Sequence, residues 1–389
     1  MYTYNKQYID NNDIKAVIKA LKSEFITQGN QINEFEKRLK SYFNSKFASA
    51  VSSGTAALHL SGLALGWKKN DIIITTPLTF LATANCIVMC GSKPEFVDIE
   101  HRYGNIDLNL LEDKAIYLKK RNKKIKSVIG VDYAGCPINW KDLSYLSKKY
   151  NFSLINDNCH AIGAKYCNDT GYAVKYADIV TQSYHAVKNI TMGEGGSIIT
   201  NNRIIDSKVK LLRSHGMERK KDILNKIGPW HYDIKKIGYN YRINDFQCAL
   251  GISQLKKLNQ FVKKRNALAK IYFKELNDND IFYLPKTLPN SEHSYHLFPI
   301  RIDFKKNKIS KLKFFSEMKR SKIKLQVHYR PIHLQPFYKN NFKTRKGQFP
   351  VSENFYDQEV SLPLYYSLNK NDIVYICNEM KYILSKLSC

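Results

Sequence analysis

Lys188 closes the run Ser183-Tyr184-His185-Ala186-Val187-Lys188, and Gly193-Glu194-Gly195-Gly196 follows it. An amine just past a strand, beside a glycine-rich turn, can form a Schiff base with a carbonyl cofactor. In a chain with 62 Lys and Arg residues, that position alone reads more simply as a solvated surface lysine. Asp157 ends the apolar run Phe152–Asn156. A carboxylate there could keep a pyridine nitrogen protonated and make the ring an electron sink; a lone acid opening the next turn is the plainer alternative. Ser53-Gly54-Thr55 opens a helical run and offers backbone N–H groups, a hydroxyl and the positive end of a helix dipole to a phosphate, or simply caps that helix. Phe80, after another strand pattern, could stack on a pyridine ring or fill the core. In chain order these are a phosphate loop, a stacking ring, a pyridine acid and an amine, the four parts that pyridoxal-phosphate (PLP) chemistry requires.

The elements that must position them alternate. Ile32, Phe35, Leu39 and Phe43 recur at helical spacing and predict an amphipathic helix over 31–44. Ala56 to Leu65 reads as a second helix, and Asp71 to Thr76 as a buried strand stopped by Pro77. Short apolar runs at Lys126–Val131, Phe152–Asn156 and Asp178–Gln182 are each followed by turn residues and helical patterns. Such alternation predicts an α/β fold with a mostly parallel sheet covered on both faces. Ligands of such sheets lie beyond the carboxyl ends of the strands, where Asp157 and Lys188 fall. Asn244 and Gln247 form a capping-box pattern at the head of a long helix running towards residue 276. The last portion mixes helical and strand patterns, the latter including His296–Ile302 and Lys324–Tyr329.

The 389 residues, with 43% hydrophobic and 12% aromatic content, suffice for two domains. No run reaches the ~18–20 apolar residues of a membrane span. Met1 to Asp10 lacks the layout of a signal peptide, so a cytoplasmic protein without a membrane partner is expected. Eight cysteines (86, 90, 136, 159, 167, 248, 377 and 389) are scattered without C-x-x-C or zinc-ligand spacing; reduced thiols and no metal are expected. The net charge of +28 comes from dispersed short runs such as Lys119-Lys120-Arg121. No aromatic-interleaved basic stripe accompanies them, so nucleic acid is not an expected partner. A basic surface suits an anionic nucleotide-sugar better.

The chain resembles the sugar aminotransferases of the DegT/DnrJ/EryC1/StrS family over nearly its whole length. The resemblance rests on Ile26-Thr27-Gln28-Gly29, Ser53 to Leu58, Thr76 to Phe80 with Ala82-Thr83-Ala84-Asn85, Asp157 to Ala164, and Ser183 to Gly196. Arg213-Ser214-His215-Gly216, Gly238 to Arg242 and Gln247 to Leu255 extend it. It implies PLP-dependent aminotransferase fold type I: a large domain, 1–255, with a mixed, mostly parallel seven-stranded sheet between helices, and a smaller C-terminal α+β domain, 256–389. It also implies roles. Lys188 would be the catalytic lysine and Asp157 the pyridine-nitrogen partner. His160 would lie beside the ring and Phe80 would stack on it, with Gly54, Thr55 and Ser183 on the phosphate. Asn240 matches a residue that reaches into the neighbouring subunit's site, implying a homodimer with shared active sites. Val131 to Gly135, Ser183 to Thr191 and Gln326 to Ile332 are most similar to the pseudaminic-acid branch, which aminates C4 of a UDP-linked 4-keto-6-deoxy N-acetyl sugar with L-glutamate. By that likeness Tyr4, Ile26, Thr27, Gln28, Gly29, His328 and Tyr329 would contact the UDP-sugar. Asn189, Met192 and Ser52 depart from the usual family residues without removing a required group.

Three rivals stand beside this reading. One is a different amino sugar, of perosamine or 3-amino type. Another is a sugar dehydratase with histidine at the lysine position, which the register of Gly193–Gly196 disfavours because it puts Lys188, not His185, there. The third is a non-catalytic regulator that kept the fold.

Overall fold

The structure, a computed structural model, describes residues 1–219, 221–277 and 279–388. Among them a seven-stranded sheet holds the strands β1 (Phe47–Val51), β2 (Ile72–Thr75), β3 (Lys93–Phe96), β4 (Ile125–Val131), β5 (Ser153–Asp157), β6 (Ile179–Ser183) and β7 (Gly196–Thr200). Their spatial order is β1-β7-β6-β5-β4-β2-β3. Neighbours pair in parallel except that β7 runs antiparallel to both β1 and β6. The Ile72-Ile73-Ile74-Thr75 run is buried at every position, as a strand covered on both faces by helices must be.

Helix α1 (Asn11–Leu21) is closed at its start by a reciprocal Asp10–Asp13 capping box. Helix α2 (Asn30–Phe43) buries Ile32, Phe35, Leu39 and Phe43 on one stripe, as its spacing predicts. Helices α3 (Gly54–Ala64) and α4 (Leu81–Met89) pack on each other and on the sheet, and both are almost wholly apolar. Helix α5 (Asp245–Leu276) starts at the expected Asn244–Gln247 capping box. Its first half packs Leu258 and Phe261 into the core of the large sheet. Its second half packs Leu268, Ala269, Tyr272 and Leu276 into another core. There the antiparallel strands β8 (Phe282–Tyr283), β9 (Phe298–Ile302) and β10 (Glu359–Leu362) meet helices α6 (Lys311–Arg320) and α7 (Lys370–Ser388).

The stretch Lys324–Tyr329 departs from its strand pattern. Only Ile323–Lys324 pairs as a strand, with Tyr2–Thr3, and Gln326 makes a single bridge to Ser361. The His328 N–H goes to the buried Glu359 carboxylate (2.8 Å) instead of a ladder, which turns the chain towards the sheet. No helix among the described residues is long and apolar enough to cross a membrane. The cysteines at 86, 90, 136, 159, 167, 248 and 377 are free thiols; Cys389 lies outside the described residues.

Candidate active site

Sheet register sets the site. Val131, Asp157 and Thr181 stand in one cross-strand row, and Ser183, Gly196 and Val51 in another, two residues further along β6. Strand spacing and rise place Asp157 and Ser183 about 8 Å apart. The chain leaves β1 straight into the start of α3, where Ser53 Oγ accepts the Ala56 N–H (3.0 Å). The N–H groups of Gly54 and Thr55 are among the orphan donors that every helix start leaves. A Cβ on Gly54 would stand 2.8 Å from the Ser183 Cβ, and one on Gly196 would stand 2.3 Å from the Ser53 carbonyl oxygen. Only glycines allow this approach, which brings the α3 N-terminus against the end of β6.

One cavity of about 390 Å³ results. Tyr4, Gly54, Thr55, Phe80, Asp157, His160, Ser183, Lys188, His328 and Tyr329 all line it. The acid and the amine that the sequence singled out therefore share one edge of the sheet and one cavity. Asp157 is 5% exposed. It accepts the Thr83 hydroxyl (2.7 Å) and the Cys159 N–H (3.3 Å), and no ion pair to it occurs among the described residues. Burial pulls the Lys188 ammonium below the ordinary lysine range, with Cys159 and Asp157 opposing that pull. The amine thus sheds its proton at a lower pH than a surface lysine does.

Histidines and tyrosines complete the lining of the cavity. Ala134 N–H donates to His160 Nδ1 (3.3 Å), so in the neutral ring Nε2 carries the proton and donates it to the Tyr329 hydroxyl at 3.1 Å. Burial, then the nearby Lys188 and His328, hold His160 well below its usual range. Burial and Lys188 take His328 down to about 3. His296, whose ring lies 4.5 Å from that of His160, is likewise kept neutral, chiefly by burial. These rings can orient a ligand without adding positive charge beside the amine. The Tyr4 ring lies 4.8 Å from that of His328, tilted by 57°, and the half-exposed Phe80 ring stands 5.8 Å from Tyr329.

Behind Lys188, Asn5 Nδ2 donates to the Val187 carbonyl (2.7 Å). Asn5 Oδ1 in turn accepts from Arg265 (3.0 Å), whose guanidinium also holds the carbonyls of Tyr295 and Leu364. Neither Asn5, Arg265, Thr83 nor His296 had been given a role from the sequence. Thr83 lies in the Ala82-Thr83-Ala84-Asn85 run, and its spacing of four from Thr79 is the available signal. Asn5 and Arg265 carried none, because only the fold brings positions 260 residues apart together.

Other expected positions gather elsewhere. Asn240 is exposed and bridges Ser214. Thr27 bridges Asn244, the Ile26 carbonyl accepts the Asp245 N–H, and Gly29 N–H donates to the Asp245 carboxylate. Gln28 and Gly29 line a second cavity of about 190 Å³ with Arg213, Ser214 and Arg242. None of these residues lines the cavity that holds Lys188.

The DegT/DnrJ/EryC1/StrS aminotransferase family model matches residues 7–381. The chain belongs to that family. It is 40% identical over 387 residues, all of this chain and 98% of the other, to a Campylobacter jejuni protein named UDP-4-amino-4,6-dideoxy-N-acetyl-beta-L-altrosamine transaminase. Helicobacter pylori PseC, an aminotransferase involved in the biosynthesis of pseudoaminic acid, superposes with a TM-score of 0.90 at 34% identity over 99% of each chain. A Streptococcus pneumoniae protein solved in its PLP-form superposes at 0.87, with 26% identity over 98% of each. This family member is a PLP-dependent sugar aminotransferase with the type I α/β fold. The cavity fits that cofactor on its own evidence: a buried carboxylate with hydroxyl and amide partners but no cation, in a strongly basic chain, suits a protonated ring nitrogen.

Proposed function

We propose that this enzyme moves the amino group of L-glutamate to C4 of UDP-2-acetamido-2,6-dideoxy-β-L-arabino-hex-4-ulose. The products are UDP-4-amino-4,6-dideoxy-N-acetyl-β-L-altrosamine and 2-oxoglutarate, within pseudaminic acid biosynthesis. The observation that carries this reading is the full-length likeness to the Campylobacter transaminase of that name, joined to a cavity that holds both Lys188 and Asp157.

In this reading Lys188 holds the cofactor aldehyde, Asp157 its ring nitrogen, Phe80 and His160 the ring, and Gly54, Thr55 and Ser183 its phosphate. Bound PLP supplies an electron sink for the charge left when a carbon beside nitrogen loses its proton. Lys188 Nζ takes the proton from Cα of glutamate in the first half-reaction and delivers one to C4 of the sugar in the second. Its lowered proton affinity suits both tasks. Tyr4, His328 and Tyr329 bind the sugar from the opposite wall. His160 orients Tyr329 through its Nε2 proton.

Asn240 and the Ile26–Gly29 turn serve the cavity of a neighbouring subunit, so the working unit is a homodimer with two shared sites. Support comes from their absence from this chain's own cavity and from the apolar surface nearby, where Trp230 is 72% and Ile237 82% exposed. The PLP-binding domain takes residues 1–255 and the small domain 256–389 in this reading, and the core itself changes further along α5, between Phe261 and Leu268.

The test offers the purified enzyme glutamate with either the L-arabino 4-keto UDP-sugar or its D-xylo epimer. Mass spectrometry follows the amino-sugar and a coupled assay follows 2-oxoglutarate. Preferred amination of the L-arabino sugar is expected. Preference for the epimer, or for a 3-keto or GDP-linked sugar, would replace this substrate with another amino-sugar pathway; no turnover of any keto-sugar would favour a non-catalytic role.

A further inference from the structure

We infer that Thr79 and Thr83 form a hydroxyl relay that positions Asp157 against the cofactor's ring nitrogen. This rests on the reading of Asp157 given above and adds two residues to it. Thr83 Oγ1 lies 2.7 Å from Asp157 Oδ2, and Thr79 Oγ1 lies 2.8 Å from Thr83 Oγ1. The threonine side chains are fully buried, at 0% and 1% exposure.

The direction of the chain follows from donor counting. Thr83 has a single hydroxyl proton and gives it to Asp157. Thr79 must therefore donate to Thr83, since Thr83 has no second proton to give. Two O–H dipoles in series then run towards one carboxylate oxygen, each strengthening the other. The Cys159 N–H on Oδ1 is longer at 3.3 Å, and the Cys159 thiol also bears on the carboxylate. Thr83 thus makes a shorter contact with this side chain than the Cys159 N–H does.

Placement supports the same role. Thr79 immediately precedes Phe80, the N-cap of α4, and Thr83 lies on the first turn of that helix, where its N–H bonds the Phe80 carbonyl. One short segment therefore sets both the aromatic face and the acid. A hydroxyl donated to a carboxylate favours its charged form, and that charge is what keeps a proton on the pyridine nitrogen. Thr79 and Thr83 are positioning residues, acting through Asp157.

The test compares Thr83→Val, Thr83→Ser, Thr79→Val and Asp157→Asn, all loaded with cofactor labelled with ¹⁵N in the ring. Two quantities are read without substrate: the ¹⁵N shift, which reports ring-nitrogen protonation, and the cofactor Kd by equilibrium dialysis. Thr83→Val should move the shift towards the unprotonated value and weaken binding roughly ten-fold or more, the scale of a hydrogen bond to a charged group. Thr83→Ser should restore both, and Thr79→Val should give a smaller change of the same sign. Wild-type shift and Kd in Thr83→Val, while Asp157→Asn changes both, would overturn the relay and leave the Asp157 assignment standing. Unchanged values in Asp157→Asn would remove that assignment itself. If Thr83→Val does not fold, Thr79→Val decides: a wild-type shift there overturns the relay.

Discussion

Asp157, His160 and Thr83 are buried, and each has hydrogen-bond partners within the chain. Around Asn240 the pattern reverses: Trp230, Tyr232, Ile234 and Ile237 stand exposed on and beside a two-stranded antiparallel sheet, Met217–Glu218 with Asp233–Ile234. The first region ties its acid, its hydroxyl and His160 together within one chain. The second leaves apolar area in water, which monomeric proteins rarely do over a contiguous patch. A wall complete in one chain should answer to point changes in chemistry, and an outer face awaiting a copy of itself should answer in assembly.

The largest effect should separate the two cleanly. Lys188→Ala is expected to lower turnover by at least about 10³-fold, the scale of a lost general acid–base. Its melting temperature and its mass in solution should stay those of the wild type, measured by calorimetry and light scattering. Dissociation of this variant would join the regions that the comparison keeps apart. A mixing experiment probes the other side. Lys188→Ala and Asn240→Ala proteins, each impaired alone, should on subunit exchange recover about a quarter of wild-type activity, because half of the dimers then contain one intact site. No recovery, with exchange verified by mass, would place Asn240 outside any shared site.

A smaller effect concerns stability and pH. Burial lowers the proton affinity of His293 and His328 to about 3, and depresses His160 and His296 as well. Below about pH 6.5 the unfolded chain takes up protons that these folded sites refuse, so each of His293 and His328 costs about 1.4 kcal/mol of stability per pH unit of acidification. Glu359, raised to about 8 by burial, and Asp132, raised to about 6 by burial, act in the opposite sense. The histidines outnumber them. The apo-enzyme's melting temperature should therefore peak near neutrality and fall by pH 5; a flat profile between pH 7 and pH 5 would show that these rings take up protons in the folded state.

The regions also differ in how far the sequence revealed them. Lys188, Asp157, Phe80 and Ser53-Gly54-Thr55 were legible because strand-end chemistry leaves local marks: an apolar run, then a polar residue, then a turn. The helices over 31–44 and from 245 declared themselves by period and capping. Strand β7 did not, because its antiparallel place beside β1 is set by a long-range pairing. The Lys324–Tyr329 stretch misled because its alternation serves a carboxylate, Glu359, more than a ladder. Arg265 lay hidden on an ordinary helical face until Asn5 and the carbonyls of Tyr295 and Leu364 were brought to it.

That guanidinium is 3% exposed and is held by uncharged oxygens alone among the contacts described. It makes the leading strand of the polypeptide a structural key. Trimming the chain past Asn5, by a protease or by design, would strip one acceptor from a cation sealed in the interior and loosen the carbonyl next to Lys188. Residues remote from every reacting atom would then govern how sharply the amine is aimed.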